Sequence, residues 1–216
     1  MPNSADASSG RVSSRPAFWD TRYRAHDRLF GSAPDPFLAD ALGRLPAHAS
    51  VLDVGGGDGR NTLPVARERG FAVTVLDFAP HALDTATAYA ATHGCTATAL
   101  HADVRTWTPQ RRYDAAVVAF VQLLPGERPR LFEQMRAAVK PGGAIIGLWF
   151  RADHEGASYA RIGPSKPDRY LQAEEVRAAF ANDTIRTCAP VDRMVAQGPL
   201  LRGHAALLQV HVERSA

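Results

Sequence analysis

The chain has 216 residues, 45% of them hydrophobic, which supports one well-buried core and is too short for two ordinary enzyme domains. Its formal charge is +3, but Lys140 and Lys166 are the only lysines and the arginines are scattered with no basic stripe among aromatics, so a nucleic-acid partner is not implied. No apolar run approaches the ~20 residues of a membrane span, Cys95 and Cys188 stand alone, and the eight histidines form no HxxxH or HExxH pair, so neither a membrane role nor a metal site has support.

Residues 1–15, MPNSADASSGRVSSR, are serine-rich without an apolar h-region and read as a disordered tail rather than a signal peptide, consistent with a cytoplasmic protein. From Pro16 the pattern turns helical, with Phe18, Trp19, Arg22, Tyr23 and His26 on one face. After a break at GSAPDP (31–36), a second short helix, FLADALGRL, stops at Pro46. Strands and helices then alternate. ASVLDV (49–54) leads through a glycine loop to a helix over Arg60–Arg69, and FAVTVLD (71–77) to a helix ending at Gly94. TATALHAD (96–103) and YDAAVVAFV (113–121) follow, then a helix over 128–140 stopped by Pro141-Gly142-Gly143, and AIIGLWF (144–150). These strands are apolar on both faces, as in a parallel sheet covered by helices, so the expected fold is a doubly wound α/β domain over 16–216. Residues 151–170 lack periodicity and read as a long irregular loop; AEEVRAAF is a helix, and two late strands are expected around 184–190 and 204–212.

The stretch VLDVGGGDGR (51–60) sits where such a sheet binds nucleotides, at the carboxyl end of its first strand. A phosphate loop of the GxxxxGK[ST] type needs lysine where Arg60-Asn61 stands, and a dinucleotide GxGxxG lacks its third glycine here. Those counts argue against an NAD-dependent dehydrogenase, as does the absence of room for a substrate domain. What fits is an acid followed by glycines at alternate positions, Asp53-x-Gly55-x-Gly57-x-Gly59. Bare backbone at Gly55 and Gly57 suits a ligand without phosphates, and Asp53 can address an ammonium group. Gly56 and Gly59 read as turn and helix-entry residues. Asp77 and Asp103 end the next two strands; each alone could be a helix cap, but three acids along one sheet edge argue for a ligand.

Asp53-Val54-Gly55-Gly56-Gly57-Asp58-Gly59, Leu76-Asp77-Phe78, Ala102-Asp103-Val104 and Lys140-Pro141-Gly142-Gly143, in that order, resemble the signature segments of class I S-adenosylmethionine-dependent methyltransferases. Phe18-Trp19-Asp20-x-Arg22-Tyr23 and Gly31-x-x-Pro34-x-Pro36-Phe37-Leu38 resemble the opening of the small bacterial subgroup related to tellurite-resistance and thiopurine (thiol) methyltransferases, and Gly163-Pro164 and Gly203-His204 resemble its end. The resemblance implies a Rossmann-like, mostly parallel seven-stranded sheet with helices on both faces and an antiparallel last strand. It implies S-adenosylmethionine as cofactor, with Gly55 and Gly57 at its methionine part, Asp77 at the ribose, Phe78 and Val104 flanking the adenine, Asp103 at the adenine amine and Phe120 behind the methyl-bearing sulfonium. Trp19 and Tyr23 would belong to an N-terminal helical lid over 16–46.

Residues 151–170 would then border a small-molecule acceptor, a thiol or other soft nucleophile that needs no dedicated base. The alternatives are an N- or O-methyltransferase of secondary metabolism and a non-catalytic protein that binds S-adenosylmethionine. The acceptor-side candidates are His26, Gln122, Trp149, Arg151 and His204, with His154, Tyr159 and Arg202 beside them, and His204 is the foremost candidate for a catalytic role. Relatives often carry histidine in place of Gln122 and an acid in place of Trp149. No metal is expected, and the protein is expected to be a monomer or homodimer.

Overall fold

Five strands, all but the third largely buried on both faces, assemble side by side in the computed structural model, which describes residues 15–26, 28–154, 162–164 and 166–216. They are β1 (Ser50–Val54), β2 (Ala72–Asp77), β3 (Thr96–His101), β4 (Tyr113–Ala119) and β5 (Val139–Phe150). Two long strands complete the sheet, β6 (Thr184–Gln197) and β7 (Leu201–Glu213), in the order β3-β2-β1-β4-β5-β7-β6. Strands β1 to β5 pair in parallel, and β7 runs antiparallel to both of its neighbours. This is the Rossmann-like sheet expected, with its last strand reversed.

Alternate strand residues serve opposite faces. Val51, Val73, Val117 and Ile146 meet Leu38 and Leu42 of α2 (Pro36–Gly43), Leu63 of α3 (Leu63–Arg69) and Leu83 of α4 (Pro80–His93). Leu52, Val118, Ile145 and Val210 meet Leu131 and Met135 of α5 (Arg128–Ala138) and Val176 of α6 (Ala173–Ala179). The remaining helix, α1 (Pro16–Ala25), buries no residue fully and lies across the carboxyl edge of the sheet. Proline stands in the first turn of α1 to α5, where a missing N–H costs nothing. Gly70 and Gly94 close α3 and α4 in the left-handed conformation.

Several boundaries differ from those read in the sequence. Helix α3 begins at Leu63 rather than Arg60, because the Gly59 carbonyl accepts from both Thr62 N and Leu63 N and extends the glycine turn. Strand β4 stops at Ala119 because Phe120 adopts φ +58°. Strand β5 begins at Val139, ahead of Pro141, since Val139 is already extended and pairs with Tyr113 beside a bulge. The two last strands are far longer than expected and form one hairpin, from Thr184↔Glu213 to Gln197↔Leu201, turning at Gly198. The irregular segment after β5 holds a 3-10 turn at Pro167–Arg169. Apart from Arg15, the expected tail lies outside the described residues, as does Tyr159. Among the described residues no helix is long and apolar enough to cross a membrane.

Phe180, fully enclosed with Phe132 against it at 5.6 Å between ring centroids, closes the α5–α6 side of the core. Phe180→Ala is expected to lower the unfolding free energy by about 3–5 kcal/mol, read as a fall in the urea midpoint; a midpoint shift equivalent to under about 1 kcal/mol would mean the site collapses to fill the void.

Candidate active site

The strand order reverses between β1 and β4, so the loops leaving them diverge to opposite faces and open a crevice at the carboxyl ends. Three glycines of the β1 loop take left-handed backbone, Gly55 at φ +63°, Gly57 at +57° and Gly59 at +72°, a region open to glycine at little cost. Close approach explains why side chains are missing as well. A Cβ on Gly55 would meet Val121 Cγ2, from the loop after β4, at 2.4 Å, and one on Gly57 would meet the Tyr23 hydroxyl at 2.2 Å. Gly56 is bare because the Asp53 carboxyl stands 2.5 Å from where its Cβ would be, and Gly59 because Leu63 of α3 does the same at 2.4 Å.

Three acids crowd this loop, and a fourth, Asp103, follows β3 at the same edge of the sheet. Asp53 is buried and accepts a 2.6 Å hydrogen bond from the Thr62 hydroxyl. Burial pushes its carboxyl up to about 7, with the neighbouring Asp77 and Asp58 charges adding to the effect and the Thr62 bond and Arg60 opposing it. Asp58 is also buried and raised by burial, its nearest cation being Arg28 at 3.8 Å. Asp77 Oδ2 accepts from Gly57 N and Oδ1 from Ala79 N, each at 2.9 Å. It therefore caps the turn into α4 and pins the glycine loop as well; burial raises it too, against those backbone bonds. Each of its oxygens keeps a second lone pair for a ligand hydroxyl. Asp103 differs, being bound by the Arg105 guanidinium and backbone N–H, which hold it below the usual carboxylate range against its partial burial. Val104 beside it is buried, and Phe78 is half-buried at the tip of β2.

Helix α1 covers the loop. Tyr23 lies on Gly57, Trp19 and Tyr23 both contact Phe30 at ring-centroid distances of 6.1 and 6.3 Å, and Asp20 accepts the His81 amide at the start of α4. His26 is exposed, and it lines a cavity of about 150 Å³ with Tyr23, Arg28, Asp58 and His81 between α1 and α4.

The acceptor-side candidates are not all brought together. Phe120, in its left-handed conformation, packs on Phe150 with ring centroids 5.2 Å apart. Gln122 follows it, its amide against the backbone of Phe150 and Arg169. Trp149 is enclosed in the core against Phe132, its indole N–H donated to the Val121 carbonyl at 3.1 Å. Arg151 is clamped between Asp153 and Asp192. His204 lies on the exposed face of β7 opposite Met194 of the edge strand, and Arg202 is exposed nearby. Sequence reasoning missed Thr62, Arg60 and Asn61. Their signal was present, since three consecutive polar residues precede an apolar helix and all three are buried.

Residues 51–143 match the family model described as a methyltransferase domain. Over those residues the chain carries a methyltransferase domain. Its fold is shared with TehB from Haemophilus influenzae, 15% identical with a TM-score of 0.71 over 93% of this chain and 67% of that one. A structure concerned with conversion of a disulfide bond into a thioacetal group during echinomycin biosynthesis is 21% identical, with a TM-score of 0.70 over 93% of both chains. A methyltransferase from Geobacter sulfurreducens in complex with S-adenosylhomocysteine is 20% identical, TM-score 0.59, covering 81% of this chain and 73% of that one. No curated protein sequence matches. The donor set of this methyltransferase domain fits the cofactor: bare backbone where a Cβ would collide, carboxylates at three strand ends, and an acid cluster able to receive a cationic ligand. Among the described residues no group of His, Cys, Asp or Glu could hold a metal.

The raised Asp53 has a signed consequence. Its carboxyl titrates near 7 in the folded chain and near about 4 unfolded, so its protonated form favours folding. That contribution is complete below about pH 4 and is lost as pH rises through about 7. The wild-type urea midpoint is therefore expected to fall relative to that of Asp53→Asn across this window; parallel curves would show Asp53 ionised throughout.

Proposed function

We propose that the chain moves the methyl group of S-adenosylmethionine to a small-molecule acceptor through a soft nucleophilic atom, a thiol foremost. The observation that carries this reading is Phe120, a non-glycine residue in left-handed backbone whose ring lies on Phe150 at the mouth of the crevice. Such strain persists only where the surroundings enforce it, and it concentrates at functional sites. The wall it makes is aromatic and neutral, continued by the Gln122 amide. A weakly hydrated sulfur nucleophile loses little on meeting it, whereas an alcohol or amine would need a base beside it. The thioacetal-forming structure, alike in fold over 93% of both chains, adds sulfur chemistry on this scaffold.

S-adenosylmethionine supplies an electrophilic methyl group held on a sulfonium sulfur. The residues of this chain bind, orient and exclude water. Gly55 and Gly57 admit the methionine part and Asp53 receives its ammonium. Asp77 accepts the ribose hydroxyls on its remaining lone pairs. Phe78 and Val104 flank the adenine, with Asp103 and its Arg105 partner at the amine edge. Phe120 backs the sulfonium, and Trp19 and Tyr23 close α1 over it, so that the acceptor atom can align about 3–3.5 Å behind the methyl carbon. Gln122 is the leading acceptor-side residue, His26, Arg151 and His204 are further candidates on separate surfaces, and Trp149 supports the wall from within the core. The protein would act in the cytoplasm as a monomer or homodimer, with Cys95 and Cys188 as free thiols.

Asp77→Ala removes acceptors of charge-assisted hydrogen bonds worth about 1.5–3 kcal/mol each. It is expected to weaken S-adenosylhomocysteine binding at least about tenfold by calorimetry; affinity held within about twofold would reduce Asp77 to a cap. In a panel of thiols, phenols and amines, methylated thiol is the expected product by mass spectrometry. Preferred methylation of an amine or phenol would overturn the choice of acceptor and leave the cofactor assignment standing.

A further inference from the structure

A carboxylate outside the glycine loop ties that loop to the far end of the chain. Asp35 is completely buried. Its Oδ1 accepts Phe37 N at 3.1 Å, capping α2. Its Oδ2 accepts from Arg193 and, at 2.6 Å, from Gln197 Nε2, both on β6. Its own backbone N–H donates to Asn61 Oδ1 at 3.1 Å, and two residues earlier the Ala33 carbonyl accepts from Arg60 Nη1 at 3.0 Å. Arg60 and Asn61 end the glycine loop, so the segment 33–35 holds that loop from outside while β6 holds the segment.

The hairpin tip is seated on the same segment. Gly31 and Gly198 meet backbone to backbone: a Cβ on Gly31 would lie 2.9 Å from Gly198 N, and one on Gly198 would lie 2.5 Å from Gly31 N. Phe30, next to that contact, carries Trp19 and Tyr23 of α1. A buried carboxylate is tolerated only with its partners in place, and removing one strands the others. On β6 the neighbouring Asp192 grips Arg151 on the acceptor side, while Arg193 grips Asp35.

We propose that Asp35 is a positioning residue for the cofactor loop, transmitting the fixed placement of the β6–β7 hairpin to Arg60 and Asn61 and so to Gly55–Gly59. It touches neither cofactor nor acceptor. The proposal rests on the glycine loop holding S-adenosylmethionine; a wild-type chain that fails to bind S-adenosylhomocysteine would overturn that reading of the site, whereas the variants below test Asp35 alone.

Asn is itself a good helix cap, so Asp35→Asn keeps the bond to Phe37 N and removes the charge that Arg193 and Gln197 address. The expected result is about tenfold weaker S-adenosylhomocysteine binding by calorimetry, with faster amide exchange at residues 55–61 in the ligand-free chain. Phe180→Ala, on the opposite face of the sheet, serves as the control for general instability and is expected to leave both readouts within twofold. Should Asp35→Asn fail to fold, Arg193→Met, which leaves the cap intact, carries the same expectation. Asp35→Asn and Arg193→Met are also expected to be non-additive in a double-mutant cycle on cofactor affinity. Affinity and loop exchange within twofold of wild type in the folded variants, or a loss matched by Phe180→Ala, would overturn the proposal.

Discussion

Gly57 donates its amide to the Asp77 carboxylate, and that bond joins the loop after β1 to the tip of β2. A left-handed glycine run has no side chains with which to fix itself, so its shape comes from what its backbone is bonded to. Gly56 N reaches the Leu76 carbonyl on the same strand end, and Gly59 N returns to the Gly56 carbonyl. The loop is thus drawn down onto β2, and the crevice edge has the outline that Asp77 imposes. Asp53 and Asp58 crowd the same space, buried and raised by burial. Carboxylates concentrated in so little solvent repel one another when ionised. Arg28 and Arg60 offset part of this, and a ligand bearing an ammonium and a sulfonium would offset more. The unliganded loop is electrostatically costly in the way that favours such a ligand.

Helix α1 answers a different demand. Its ten residues include none fully buried, and a helix of that length is marginal on its own. Among the contacts that hold it, Asp20 meets the first turn of α4, Tyr23 meets Gly57 and Trp19 meets Phe30. Segments so attached occupy the low end of local stability, and exchange of ligand at a covered site needs such a segment.

The central parallel strands were legible because burial on both faces writes them as nearly unbroken apolar runs, and Gly70 and Gly94 marked two helix ends by their need for left-handed backbone. The glycine spacing and the acids at Asp53 and Asp77 were legible as one bare loop beside two strand-end carboxylates for the same local reason. What could not be read was settled across the chain. Strand β6 is mostly half-buried or exposed, with Pro190 and Asp192 along it, so only its first half, around 184–190, reads as strand. Trp149 carried an aromatic side chain at a strand end, a position equally suited to a pocket or a core, and Phe132 decided for the core. Asp35 lay unmarked within the break at 31–36, because its partners Arg193 and Gln197 lie 158 and 162 residues away.

The polar character that obscured the second half of β6 also explains how it can serve as a brace. A strand of that length at a sheet edge presents unpaired backbone groups that invite another chain. Pro190 removes one donor, and Arg186, Asp192 and Arg193 place charge along the strand. Two of those charges are not left in solvent: Asp192 turns to Arg151 and Arg193 to Asp35, so the residues that discourage edge pairing are the ones that fasten the hairpin to the two sides of the crevice. Arg186 at the other end stays exposed and pairs with Glu213 of β7 across the hairpin itself. An edge strand protected by charge and an edge strand anchored by charge are here the same residues, which is why the longest element of the sheet can be both its boundary and its support.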